Sequence, residues 1–209
     1  MSVGIAGRIF AGCIAAVAWV GLIVQFVELY RANSGLMSLW IMFAYFTITT
    51  NVLVAVVFGS IAIDRGVLLR ADWIVAGTTL SIVLVGAVNA LLLWGLLELS
   101  GGSALVDRLL HVVTPAAALL FWIFFARKGG LGWRDPLLWA IYPLAYLVYA
   151  IVRGVATGKY AYPFLNVLTL GWSRTALNAL YIAVAFMLCG YAMVWIDRWI
   201  GSRARAIPV

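Results

Sequence analysis

Histidine occurs once in these 209 residues, at His111, lysine only at positions 128 and 159, and cysteine twice, at Cys13 and Cys189. Each shortage closes a class of function. One histidine cannot ligate membrane haem in the paired manner of b-type cytochromes, and no His/Cys/carboxylate group has the spacing of a zinc site. Both lysines fall between apolar runs, so a retinal Schiff base inside a helix is not available. Both cysteines fall within apolar runs, with no Cys-x-x-Cys motif, which argues against a disulfide or a redox role. The sequence also lacks a Gly-x-Ser-x-Gly elbow, a Walker loop and a dinucleotide fingerprint. No metal and no cofactor is expected.

Charge is scarce as well, at 10% of residues, while 66% are hydrophobic and mean hydropathy is +1.10. No water-soluble domain of this size carries such a composition, so the fold class is all-α and polytopic in a membrane. A hydrocarbon core of about 30 Å needs roughly 17–25 apolar residues per helix. Six such runs are present, at 9–30, 38–63, 72–99, 109–126, 137–152 and 173–195. They predict a single domain, a bundle of six transmembrane helices, with Pro143 kinking the fifth. The first run is too long and uninterrupted for a signal-peptide core and should stay in the mature protein. The connection 154–172 is longer and more aromatic than the others and is expected to lie on the outer interface or dip into it.

A net charge of +7 raises nucleic acid as a partner, but the basic residues are scattered over the ends of apolar runs, which excludes a nucleic-acid face. They act instead as topology signals. With the amino terminus in the cytoplasm, Arg8, Arg65, Arg70, Arg127, Lys128, Arg134, Arg198, Arg203 and Arg205 lie inside, against Arg31, Arg108, Arg153, Lys159 and Arg174 outside. That bias puts both termini in the cytoplasm. Short loops and the lack of a eukaryotic targeting signal suit a bacterial inner membrane.

Ionisable and polar groups within hydrocarbon are costly to keep, and they gather in the outer half of the bundle. Thr47 lies nine residues beyond Ser38, about 13 Å down at ~1.5 Å per residue. His111 lies about one turn below the outer end of its run. Thr47, Thr50 and Asn51 share a helix face, with Thr49 pointing elsewhere. Threonines of this kind commonly bond the carbonyl one turn back, and asparagines glue helices together. An imidazole is a more pointed choice, because its ordinary pKa suits proton transfer near neutrality. Pro115, four residues on, should free the His111 carbonyl. Asp107, one turn before His111, could orient it or balance Arg108 at the helix start. A hydroxyl and an imidazole in lipid are what remain for chemistry.

Ala44-Tyr-Phe-Thr47-Ile, His111-Val-Val-Thr-Pro115 and Lys159-Tyr-Ala-Tyr-Pro-Phe-Leu165 resemble the androgen-induced protein family, over most of the six-run chain. Eukaryotic members are threonine hydrolases of fatty acid esters of hydroxy fatty acids. The resemblance implies that the nucleophile is Thr47 and its partner His111. It implies attack of the Thr47 hydroxyl on an ester carbonyl, proton transfer through His111, and release of the acyl-enzyme by water.

Asn51 and Asn89 are candidates for stabilising the oxyanion, with Gln25 and Asn178 as alternatives. Phe46, Phe121, Trp122, Tyr142 and Tyr146 are candidates for an acyl-chain lining, and Arg153, Lys159 and Arg174 for holding a fatty acid carboxylate. The expected partners are thus a lipid or fatty acid ester substrate and membrane lipids. A small proton-coupled transporter or channel using His111 is the competing class, weighed against by the lack of an inverted repeat or a broken helix pair. A non-catalytic scaffold is the third. Oligomeric state is not written in the sequence.

Overall fold

The computed structural model describes residues 3–93 and 101–205, and among these the protein is helical, with no strand. The long helices are α1 (Ile5–Tyr30), α4 (Asp72–Val88), α7 (Asp135–Thr157) and α8 (Val167–Arg205). The short ones are α2 (Gly35–Met42), α3 (Phe46–Ala62), α5 (Gly101–Arg108) and α6 (Thr114–Phe124). A π turn, Asn89–Leu93, extends α4, and a second, Leu109–Val113, joins α5 to α6 as one 24-residue helical run, Gly101–Phe124. Five helical runs are long and apolar enough to cross a membrane, and α2 with α3 makes a sixth if that bent pair is one span. The fourth run therefore starts earlier than the sequence suggested, and the fifth is longer at both ends. Pro143 lies inside α7 without ending it. Gly171, with φ 73° and ψ 165°, breaks α8 near its start. The end of the third run, 94–99, lies outside the described residues.

The second run is the clearest departure from expectation. In place of one helix over 38–63, α2 and α3 meet at 93°. Phe43 and Tyr45 leave helical geometry, with ψ 4° and ψ 131° respectively. Freed carbonyls are tolerable inside a membrane only when protein groups satisfy them. Here α7 does so with one face: Tyr146 donates its hydroxyl to Ala44 O at 2.6 Å, Tyr149 to Phe43 O at 3.0 Å, and Arg153 donates to Trp40 O at 2.6 Å. Spacings of three and four put these donors on one stripe. The Arg153 guanidinium also stacks 4.0 Å above the Trp40 ring.

The core runs along α1 and α3, where Ala11, Ala15 and Ala18 bring α1 close to Val54, Val57 and Phe58. Two glycines admit the second π turn to the bundle. A β-carbon at Gly21 would lie 2.4 Å from Leu110 Cδ2, and one at Gly86 would lie 3.0 Å from the His111 carbonyl oxygen. The α7–α8 connection folds inward through the 3-10 turn Pro163–Leu165, burying Tyr162 and Leu165 in the main core.

Candidate active site

Because α3 starts inside the bundle, Thr47 is its second residue, and the threonine's N–H belongs to the four that no helix can satisfy internally. Its side chain faces the second π turn. Thr47 Oγ1 lies 3.1 Å from His111 Nε2, and His111 Nδ1 lies 2.9 Å from Asp107 Oδ1. The ring N–H does not point straight at that oxygen, so the contact is an electrostatic one with room to tighten. A carboxylate beside Nδ1 favours the tautomer that carries its proton there, which leaves the Nε2 lone pair for the threonine hydroxyl. The three expected residues are brought together in the order hydroxyl, imidazole, carboxylate.

The π turn explains how His111 reaches Thr47. In its register the Thr114 N–H returns to Leu109 O, five residues back, so the next acceptor in line is Leu110 O and the next residue is Pro115. Proline has no N–H to give. Leu110 O is thus left without a donor in that register, and Asn51 Nδ2 donates to it at 3.3 Å. Asn51 also donates to Thr47 O at 2.9 Å. It ties the two reacting elements together, and with both amide donors occupied it is not free to stabilise an oxyanion.

Tyr162 was missed as a site residue, although its motif was noted. Its hydroxyl oxygen lies 3.4 Å from Thr47 N, which donates to it, and 3.4 Å from Thr47 Oγ1. The ring stands edge-on to Tyr45 and stacks on Phe164 with centroids 5.1 Å apart. Burial raises the Tyr162 phenol above its ordinary value, so at neutral pH it is a protonated donor. The available signal was a tyrosine directly before Pro163 in a long aromatic connection: the proline fixes its own φ and biases the preceding residue to extended backbone.

Thr47, His111 and Tyr162 form the polar end of an otherwise apolar cavity of about 390 Å³, walled by Leu84, Val85, Leu147, Ile182 and Phe186. Leu137 and Leu144 line it and are also exposed on the bundle surface, so it opens to the flank of α7. Of the expected aromatic lining, Phe46 and Tyr146 are present. Phe121 and Trp122 are packed in the core instead. Tyr142 is turned to Thr49 and Thr50, at 2.8 Å and 3.0 Å, and does not line the cavity.

The remaining expected residues lie elsewhere. Asn178 donates to Phe164 O at 3.0 Å and supports the Tyr162 connection from behind. Gln25 and Asn89 do not line the cavity. Arg153 is occupied at the α2–α3 break, and Lys159 and Arg174 are exposed away from the cavity, so none of these cations meets a ligand within it. Among the described residues no group of His, Cys, Asp and Glu has metal-site geometry. Comparison with protein-family models, with curated proteins and with solved structures finds no match to this chain.

Proposed function

We propose that this protein is an intramembrane hydrolase of lipid esters in which Thr47 is the nucleophile and His111 the general base. The observation that carries the reading is the 3.1 Å contact between Thr47 Oγ1 and His111 Nε2 at the polar end of an apolar cavity. A bare threonine hydroxyl is a weak nucleophile and needs a base within about 3 Å. His111 supplies it and Asp107 orients the ring. The cavity admits acyl chains and offers almost nothing to a polar metabolite. The resemblance of its motifs to those of the androgen-induced protein family suggests fatty acid esters of hydroxy fatty acids as the substrate class.

Thr47 Oγ1 bonds to the ester carbonyl carbon as its proton passes to His111, and collapse of the adduct expels the alcohol portion, which takes that proton. Water, deprotonated by the same histidine, then releases the fatty acid and restores Thr47. In this reading the chain crosses the membrane six times with α2–α3 as one bent span. Both termini are cytoplasmic, and the reacting groups lie nearer the outer face.

The α2–α3 break favours a second reading, a proton-coupled transporter, since discontinuous helices build such sites. One bent pair without a counterpart in the other half of the chain makes the weaker case. The two separate on covalency. Treating the detergent-purified protein with a fluorophosphonate probe should give one adduct, mapped by mass spectrometry to Thr47 and lost in Thr47→Ala and His111→Ala. Well-folded protein that forms no adduct, and in which proton flux depends on His111, would establish the transporter.

A further inference from the structure

We propose that the Tyr162 hydroxyl, together with the backbone N–H of Thr47, binds the oxyanion formed when Thr47 attacks its ester. This assignment rests on the hydrolase reading above. It replaces the asparagines and glutamine that the sequence suggested, and it gives the Lys159–Leu165 connection a chemical purpose.

The argument begins with proton counting. Thr47 N donates to the Tyr162 oxygen at 3.4 Å, and the Thr47 hydroxyl has His111 Nε2 as its acceptor at 3.1 Å. The Tyr162 proton then has the second neighbour of its oxygen, Thr47 Oγ1, to point at, also 3.4 Å away. The two contacts between Tyr162 and Thr47 are both longer than an ordinary hydrogen bond. Long bonds are cheap to exchange. As an ester carbonyl meets Oγ1, its oxygen enters the space between the Thr47 N–H and the phenol, and both donors turn to it from the tyrosine oxygen and the threonine oxygen they touched before.

The nucleophile's own N–H is a recurrent half of such a site in serine hydrolases. It has no partner within the helix because α3 begins one residue earlier, with its positive dipole end aimed at the developing charge. The phenol is the second half. It is carried on a connection held by the Phe164 stack and by Asn178, and Tyr162 is 8% exposed, so water does not compete for its proton. When Oγ1 bonds to the carbonyl carbon, the carbonyl π pair moves to oxygen and the threonine proton to His111. The phenol keeps its proton throughout. Collapse returns the pair to the carbonyl and expels the alkoxide, which takes the proton from His111.

The test uses the full-length protein in detergent with a 4-nitrophenyl ester of a medium-chain fatty acid. Tyr162→Phe keeps the ring and its stacking and removes the donor. Its kcat should fall by about 10²–10³, the usual loss for one oxyanion donor, with KM and the thermal midpoint little changed. Tyr45→Phe, at the ring that Tyr162 touches edge-on, should keep kcat. Should Tyr162→Phe fold poorly, replacement of Tyr162 by 3-fluorotyrosine keeps the shape and makes the phenol more acidic. Its rate should then fall at alkaline pH as the phenol ionises, on a limb lower in pH than any shown by the wild type. A folded Tyr162→Phe protein with wild-type kcat, or a fluorotyrosine protein with the wild-type pH profile, overturns the assignment while leaving the hydrolase reading intact. A wild type with neither turnover nor an adduct at Thr47 overturns both.

Discussion

Asn51 donates its side-chain amide to the carbonyl of Leu110, 3.3 Å away, and so occupies an acceptor that the π turn and Pro115 leave without a donor in the π register. The bond fixes the height of His111 against Thr47. Asn51→Leu keeps the volume and removes the donor, leaving a buried carbonyl unpaired, which costs about 1–3 kcal/mol. Unfolding in mixed detergent should show that loss, and turnover should fall with it. Pro115→Ala, which restores an N–H in the same region, should recover part of the loss in the double variant. Strict additivity of the two changes would show that they do not act on a shared carbonyl.

In the proposed hydrolase Asp107 would act only through the ring of His111, which it meets at 2.9 Å. Asp107→Asn preserves its size and removes the charge that selects the Nδ1–H tautomer. The comparable change in a buried triad lowers kcat by about 10⁴. Here the Asp107 side chain is 24% exposed, so solvent compensates and a fall of about 10² is expected, with KM unchanged. Single-turnover kinetics would check it. A change confined to KM would assign Asp107 to binding instead.

The end of the bundle that carries the loop after α6 offers a test of electrostatics away from the site. The loop after α6 is clamped there: Asp197 accepts from Gly129 N at 2.9 Å and Leu131 N at 3.0 Å, while Lys128 donates to Trp122 O and lies over that indole. Burial lowers the Lys128 ammonium to about 8, against the pull of Asp197 and Asp72. Its folded value thus lies below its ordinary one near 10.5, and the unfolded chain holds the extra proton between those limits. Stability from this group should therefore rise as pH increases from about 8 to about 10. Lys128→Met should flatten that part of the pH–stability curve. A wild-type curve that falls over the same window contradicts the sign.

How much of this was legible beforehand depended on whether the cause lay nearby in the chain. The apolar runs, Thr47, His111 and Asp107 could be read because length, rarity and spacing are local properties. The α2–α3 break could not, because 38–63 contains no proline and its donors, Tyr146, Tyr149 and Arg153, come from about a hundred residues on. Remoteness in sequence also hid the function of Asn51, whose second acceptor, Leu110 O, is 59 residues away. A membrane asparagine is equally able to glue helices or to face a ligand, and its two carbonyl acceptors decide the matter only once α3 and the π turn are side by side. Arg153 was legible as a cation near a helix end, but its carbonyl and indole partners on α2 were not, being also remote in sequence.

The cavity's shape predicts chain-length selection. Its apolar walls include Leu84, Leu147, Ala183 and Met187, and an acyl chain held there should contribute roughly 0.8 kcal/mol for each methylene it buries. That corresponds to about a fourfold gain in kcat/KM per methylene until the cavity is full. Ala183→Trp places an indole in the path without touching the reacting groups. Short-chain esters should then be hydrolysed as before, while kcat/KM for long-chain esters should fall at least tenfold, mostly in KM. Such a pattern would assign the cavity to the acyl chain. An equal loss for every chain length would mean that the variant disturbs the bundle, and a loss for short esters alone would place the chain outside the cavity, along the exposed flank of α7.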